Sequence, residues 1–215
     1  MRRRQYPGRG KPSAAQVRVG EWMYLLEGAL ESANITRWIL DRDAPQLPSG
    51  LSAKERHHAF EVSVVDEFHR LGQRSFERSG QAAMWERPIL TGRRGRPESI
   101  DIALFDQTAG AETRLEFGIY SATKLKEDSE KLARLAPSTL AGFPQTDGFV
   151  LLWSETTSLP NSGRELAKAS AKFSAAAAKV TAATVTHLAT SAIDLFSSEL
   201  DKPRMATVAA FQVVP

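Results

Sequence analysis

The spacing of apolar residues divides the chain into helical and extended segments. Near the N-terminus, Val19, Trp22 and Leu26 recur three or four residues apart. This period places the three side chains on one face of a helix, so the pattern predicts a helix over about residues 13–40. We expect that helix to be interrupted near Asn34.

A loop separates this helix from a second one. Residues 41–50 contain two prolines and a glycine, a composition typical of a loop. Ser52 and Glu55 then form a capping-box pattern, which predicts a helix start. The helix should extend over about residues 52–71, because four apolar residues share one face: Phe60, Val64, Phe68 and Leu71.

Strand and helix patterns alternate in the rest of the chain. One helix-period segment begins at Ser121 and ends before Pro137, and another covers about residues 162–181. The predicted strands are residues 82–90, 99–105, 113–120, 149–154 and two late apolar runs, TVTHLATSAIDLF and MATVAAFQVVP. This order predicts an α/β or α+β protein, in which helices flank a sheet.

Composition excludes several classes of function. The chain has 215 residues, enough for one domain of ordinary size, and no cysteine. Disulfides, thiolate metal sites and cysteine nucleophiles are therefore excluded. No apolar run is long enough to span a membrane, and no secretory signal follows the basic start. We expect a soluble, cytoplasmic protein with no membrane partner.

Two short segments of the chain are rich in basic residues. The net charge is +3, but the first eleven residues hold five of the 28 basic groups, which leaves 23 against 25 acidic groups elsewhere. We expect residues 1–12 to be a disordered arm, either solvated or in contact with phosphates. The run GRRGR at 92–96 predicts a turn on which Arg93, Arg94 and Arg96 bind phosphate, or are simply solvated.

Two carboxylates lie inside apolar strand patterns. The stretch SIDIALFDQTAGAETRLEFGIY, residues 99–120, contains Asp101 in its first strand and Glu116 in its second. Burial of such groups is costly unless they are paired or bind a cation. If the two strands form an antiparallel hairpin, both acids can bind one Mg²⁺ through oxygen ligands. The alternatives are exposure on an edge strand and neutralisation of Glu116 by Arg114.

The order of these segments resembles the PD-(D/E)XK nuclease superfamily, which has the restriction-endonuclease-like fold. The resemblance extends from Glu61 to Trp153 and rests mainly on the pieces SIDIALFD, RLEFGIYS and KLKEDSEKLARL. It implies an α/β fold with a mixed β-sheet flanked by helices over residues 51–215. Residues 13–50 would then form an N-terminal helical extension.

The resemblance also implies a set of metal ligands. Asp101 would be the first ligand of Mg²⁺ or Mn²⁺, and Glu116 the second. The family often adds an acid from the preceding helix, and here Glu61 and Glu67 compete for that position. We favour Glu61, because Val65 keeps that edge of the helix against the sheet.

The sequence departs from the family at the motif lysine. Gly118 stands two residues after Glu116, where the family has a lysine that orients the attacking water. Lys124 or Lys126, at the start of the next helix, is expected to take that role. Tyr120 lies on the same strand face and could contribute a hydroxyl group.

The function implied by the resemblance is a metal-dependent deoxyribonuclease. Metal-activated water would hydrolyse a DNA phosphodiester bond, in defence, repair or mobile-element processing. The alternative, favoured by Gly118, is a domain that has lost its chemistry and binds protein or nucleic acid as an adaptor subunit. In either case we expect the N-terminal helices to offer a surface for an oligomer or a partner subunit.

Overall fold

The computed structural model of the chain describes residues 3–5, 7, 13–43, 53–89, 98–135, 142–156, 163–195 and 204–214. Its elements in chain order are β1 (Arg3–Gln5), α1 (Ala14–Asp43), α2 (Ala53–Arg78), β2 (Gln81–Ile89), β3 (Glu98–Asp106), β4 (Ala111–Ile119), α3 (Ala122–Arg134), β5 (Gln145–Thr156), α4 (Gly163–Ala177), β6 (Thr184–Leu195) and β7 (Arg204–Val214). Within these residues the strands form one mixed sheet of seven strands, in the order β1-β6-β7-β5-β4-β3-β2. The protein is therefore a mixed α/β protein.

Local sequence signals set the path through the centre of the sheet. β3 and β4 form an antiparallel hairpin whose turn ends at Gly110, with a φ of 62° that favours glycine. Asp106 stabilises the turn by accepting a hydrogen bond from Ala109 N at 2.8 Å. The chain then enters α3 through Ser121, whose hydroxyl accepts a hydrogen bond from Lys124 N at 2.9 Å. This helix returns the chain, so that β5 lies parallel to β4.

Helices cover both faces of the sheet. On one face, α1 and α2 pack against strand residues in the first apolar cluster, which includes Leu26, Phe68 and Phe117. On the other face, α3 and α4 form a second cluster that includes Leu125 and Phe173. Each large side chain buried in this way stabilises the fold by about 1.5–3 kcal/mol. None of the helices, over the described ranges, is long and apolar enough to cross a membrane.

The strands and helices predicted from residue 13 onward are confirmed, and they differ from the prediction only at their ends. α1 continues through Asn34, where we expected a break, and ends at Asp43. Asn34 is buried within the fold, so tertiary packing stabilises the helix at a residue of low helix propensity. α2 continues past Leu71 to Arg78. Most of the predicted loop, 44–50, and the capping residue Ser52 lie outside the described residues.

The N-terminal region differs from the expected arm and extension. Arg3–Gln5, inside the segment predicted to be disordered, form β1 and pair with β6. A strand edge binds a backbone without requiring an apolar pattern, which is why periodicity did not predict this pairing. α1, expected as an extension, contributes Trp22 and Leu26 to the first cluster. This helix is therefore part of the layer that covers the sheet.

Candidate active site

The candidate site lies where β3 and β4 stop pairing. The last regular antiparallel partners before it are Ile102 and Leu115. At the next position, Asp101 Oδ2 accepts a hydrogen bond from the backbone N–H of Phe117 at 2.8 Å. This contact holds the Asp101 carboxylate at the opening between the two strands.

Glu116 lies beside Asp101 and is almost completely buried, with 2 % of its surface exposed. Lys131, from α3, places its Nζ 2.6 Å from Glu116 Oε1. Burial, and then the nearby charge of Asp101, raise the pKa of Glu116 from 4.5 to about 8, although Lys131 opposes the change. Burial also raises the pKa of Asp101, against the effect of the hydrogen bond from Phe117. The two carboxylates therefore retain protons more strongly than exposed acids, unless a cation neutralises them.

Gly118 leaves a space on β4 that two charged side chains occupy. A Cβ atom at this position would lie 2.4 Å from Glu61 Oε1 and 2.4 Å from Lys124 Cε. Both distances are far below van der Waals contact, so any larger residue at Gly118 would displace these side chains. Lys124 therefore reaches from α3 over Gly118 of β4.

Burial and the nearby carboxylates determine the electrostatic environment of Lys124. Its Nζ lies 3.3 Å from Asp128 Oδ2 and 3.7 Å from Glu61 Oε1. Burial alone would lower the pKa of Lys124, but the charges of Asp128, Glu61 and Asp101 raise it above its ordinary value. Lys124 is therefore held as a cation. Burial disfavours the charged form of an acid as well, so it raises the pKa of the neighbouring Asp128 to about 6.

Side chains from both helical layers meet at this opening. Glu61 belongs to α2, whose apolar residues lie in the first cluster, whereas Lys124 and Lys131 belong to α3 on the second face. They meet beyond the point at which β3–β4 pairing ends. We call the whole group the carboxylate–lysine cluster; it consists of Glu61, Asp101, Glu116, Lys124, Asp128 and Lys131.

The structure distinguishes between the two candidate lysines and between the two candidate acids of α2. Lys126 points away from the cluster, with 60 % of its side chain exposed and its Nζ 3.8 Å from Glu130 Oε1. Glu67 pairs with Arg70 on its own helix, whereas Glu61 contacts Lys124. Of these residues, only Lys124 and Glu61 lie at the site.

Tyr120 is engaged in packing. Its ring packs edge-on against Phe173, with ring centroids 4.7 Å apart, and Lys172 Nζ lies 5.3 Å from the ring. Burial raises the pKa of its hydroxyl group. These contacts with α4 account for the ring without a catalytic role.

Arg114 belongs to a separate buried ion network. Its Nε lies 3.1 Å from Glu112 Oε1, and Arg87 Nη1 lies 3.1 Å from the same oxygen. Arg114 also contacts the carbonyl oxygen of Leu135. The ion pair that the structure shows for Glu116 is with Lys131, so the neutralising lysine comes from α3.

Sequence reasoning missed Asp128 and Lys131. Together with Lys124 they follow a spacing of four and three residues, which places all three on one face of α3. That spacing was available in the sequence. However, alternating charges on a helix are more typical of a solvated surface, and Leu125 and Leu132 gave the only sign that this edge of the helix is buried.

The charges of the cluster fit a divalent cation. Four carboxylates and two ammonium groups leave two negative charges when all are ionised, next to the buried Glu116. Mg²⁺ commonly binds to one or two protein carboxylates and completes its octahedron with water and phosphate oxygens. Asp101 and Glu116 could supply that pair. No group of three or more acidic or histidine side chains close enough to hold a metal occurs in the described part of the chain.

The predicted phosphate-binding groups lie outside the described residues. Arg93, Arg94 and Arg96 lie outside the described ranges, as does most of the N-terminal arm. The cluster itself contains more acids than bases, so its charges suit a cation rather than a nucleic acid.

Comparison of the chain with known protein families, with characterised proteins and with solved structures finds no significant match.

Proposed function

We propose that this protein is a metal-dependent nuclease that hydrolyses phosphodiester bonds in DNA. One observation carries the proposal: Lys124 and Glu61 fill the space above Gly118, two residues from the buried Glu116. An ammonium group from α3 thus stands beside the paired carboxylates of β3 and β4. The element order α2-β2-β3-β4-α3-β5, with an antiparallel β2-β3-β4 unit and β5 parallel to β4, supports a restriction-endonuclease-like core.

Two carboxylates would hold Mg²⁺ or Mn²⁺ at the opening between β3 and β4. Asp101 is oriented by the N–H of Phe117, and Glu116 is held within reach of Asp101 by the strand. Glu61 is the third acid at the site, and its carboxylate contacts Lys124. A bound ion would polarise a phosphoryl oxygen and lower the pKa of a coordinated water.

Lys124 supplies positive charge and hydrogen-bond donors. Its ammonium group is kept protonated by the neighbouring carboxylates, so it donates hydrogen bonds and does not act as a base. It would orient the attacking water and stabilise the charge that develops on the phosphate. Asp128 and Glu61, at 3.3 Å and 3.7 Å, fix the direction of the ammonium group.

An adaptor without catalytic activity is the second candidate. One observation favours it: Glu116 already has a cationic partner in Lys131, and Asp101 has a backbone donor. Such an arrangement is stable without a divalent ion. Binding to protein or nucleic acid, without cleavage, would then be the activity, with the outer surface of the N-terminal helices as one contact region.

A cleavage assay with matched lysine variants tests the proposal. Supercoiled and linear DNA would be incubated with the purified protein in Mg²⁺ or Mn²⁺, and with the variants Lys124→Met and Lys126→Met. Each variant removes one positive charge from the first two turns of α3. We expect Lys124→Met to lower the cleavage rate by about 10²–10³-fold, the usual effect of removing one stabilising donor, and Lys126→Met to change it less than about twofold.

Carboxylate variants complete the test. Asp101→Asn and Glu116→Gln keep the shape of each side chain and should abolish cleavage together with metal binding. A wild-type protein that binds no metal and cleaves no DNA supports the adaptor. Equal rates for Lys124→Met and Lys126→Met would refute the role given to Lys124.

A further inference from the structure

The contact between Lys131 and Glu116 bears on how a cation enters the site, and this inference rests on the proposed function. Lys131 Nζ lies 2.6 Å from the buried Glu116 Oε1, and its charge also acts on Asp101. We propose that the ammonium group of Lys131 occupies the cation position of Asp101 and Glu116, and that a divalent cation binds there by displacing it. Once Glu116 is ionised, Lys131 is thus its resident counterion and competes with metal.

The position of Lys131 allows such an exchange. Its side chain is 21 % exposed, whereas that of Glu116 is 2 % exposed, so part of the lysine side chain is in contact with solvent. A lysine has a flexible stem of four carbons, which can carry the charge into water while the helix stays in place. Neither the strand nor α3 has to move.

Electrostatics make the two occupants mutually exclusive. A divalent ion binds a carboxylate oxygen at about 2.0–2.1 Å for Mg²⁺, and it would share Glu116 Oε1 with the ammonium group. Two cations so close together in a buried site repel strongly, because little water screens them. Lys124 is in a different position, since its contacts are Asp128 and Glu61.

Metal affinity measured on matched variants tests this proposal. Mn²⁺ binding would be followed by isothermal titration calorimetry at pH 8.5, where protons compete little for Glu116. Lys131→Met removes the competing cation, and Lys126→Met removes the same charge from an exposed position on the same helix. We expect Lys131→Met to bind Mn²⁺ at least tenfold more tightly than the wild type, and Lys126→Met to stay within about twofold.

A second measurement needs no variant. Saturating Mn²⁺ should increase the rate at which an acetylating reagent modifies Lys131 in the wild-type protein at least threefold, as followed by peptide mass spectrometry. The acetylation rate of Lys126 should not change.

A conservative variant adds a control to the calorimetry. Lys131→Arg, which retains a cation, should bind Mn²⁺ like the wild type.

The outcomes separate this inference from the proposed function. If Lys131→Met binds Mn²⁺ no more tightly than Lys126→Met, or if Mn²⁺ leaves the acetylation of Lys131 unchanged, the displacement is refuted. A wild-type protein that shows both effects but cleaves no DNA contradicts the nuclease and leaves the displacement standing. If none of the proteins binds Mn²⁺, both proposals are overturned.

Discussion

Replacement of Glu116 by glutamine gives a direct measure of the charge balance at the candidate site. Glutamine has the shape of a protonated glutamate but no proton to release. In the metal-free wild type, burial and Asp101 raise the pKa of Glu116 from 4.5 to about 8. Between these values the unfolded chain has lost the proton and the folded protein still holds it. The free energy of unfolding of the wild type therefore falls as the pH rises from about 4.5 to 8.

The size of this effect follows from the two pKa values. A difference of one pKa unit corresponds to about 1.4 kcal/mol, so the rise from 4.5 to about 8 sets an upper limit of about 5 kcal/mol. Movement of Lys131 and entry of water reduce the cost of ionising Glu116. We expect the free energy of unfolding of Glu116→Gln, minus that of the wild type, to increase by about 2–4 kcal/mol between pH 5 and pH 9.

Urea denaturation at several pH values, in the presence of a chelator, measures this difference. Glu127→Gln is the matched control, because it removes one carboxylate from the exposed face of α3. Subtracting the pH dependence of the unfolding free energy of Glu127→Gln from that of Glu116→Gln leaves the pH dependence that is due to the burial of Glu116. If the difference between Glu116→Gln and the wild type is the same at pH 5 and pH 9, Glu116 is not a buried acid with a raised pKa, and the electrostatic reasoning about the site fails.

Three further predictions concern other residues. Gly118→Ala should change the free energy of unfolding by about 1 kcal/mol or less, because the atoms that clash with the new methyl group belong to flexible side chains. It should lower the rate of DNA cleavage at least about tenfold, because it displaces Lys124. Full cleavage activity would contradict the placement of Lys124. Glu112→Gln removes the buried carboxylate that contacts both Arg87 and Arg114. It should lower the free energy of unfolding, measured by urea denaturation, by about 3–5 kcal/mol, and a loss under about 1 kcal/mol would contradict the buried ion network. Burial lowers the pKa of His187 from 6.5 to about 4, so the free energy of unfolding should fall by up to about 3 kcal/mol as the pH drops through this range. His187→Gln should remove this loss, and an unchanged pH profile would argue against a neutral buried imidazole.

Local patterns predicted most of the secondary structure. The alternation in residues 99–105 and 113–120 predicted β3 and β4, and Ser121 marked the start of α3, where its hydroxyl caps the helix. These features depend on the period of apolar side chains and on hydrogen bonds between near neighbours. β1 could not be predicted in this way, since its stability comes from pairing with β6, far along the chain.

The sequence did not distinguish Lys124 from Lys126 as the lysine at the candidate site. Lys124 and Lys126 flank Leu125, one about 100° to each side of it around the helix, so the apolar pattern treats them alike. The orientation of α3 against the sheet decides between them: it directs Lys124 to Gly118 and leaves Lys126 exposed.

The sequence by itself determined the order of helices and strands and the presence of two acids, Asp101 and Glu116, within apolar strands. Only the tertiary structure decided which charges surround them. Lys131, Asp128 and Glu61 come from helices on different faces of the sheet, and their contacts depend on how those helices pack. Periodicity records which side of an element is apolar, but a contact between charged groups depends on the relative position of two elements, which no local pattern contains.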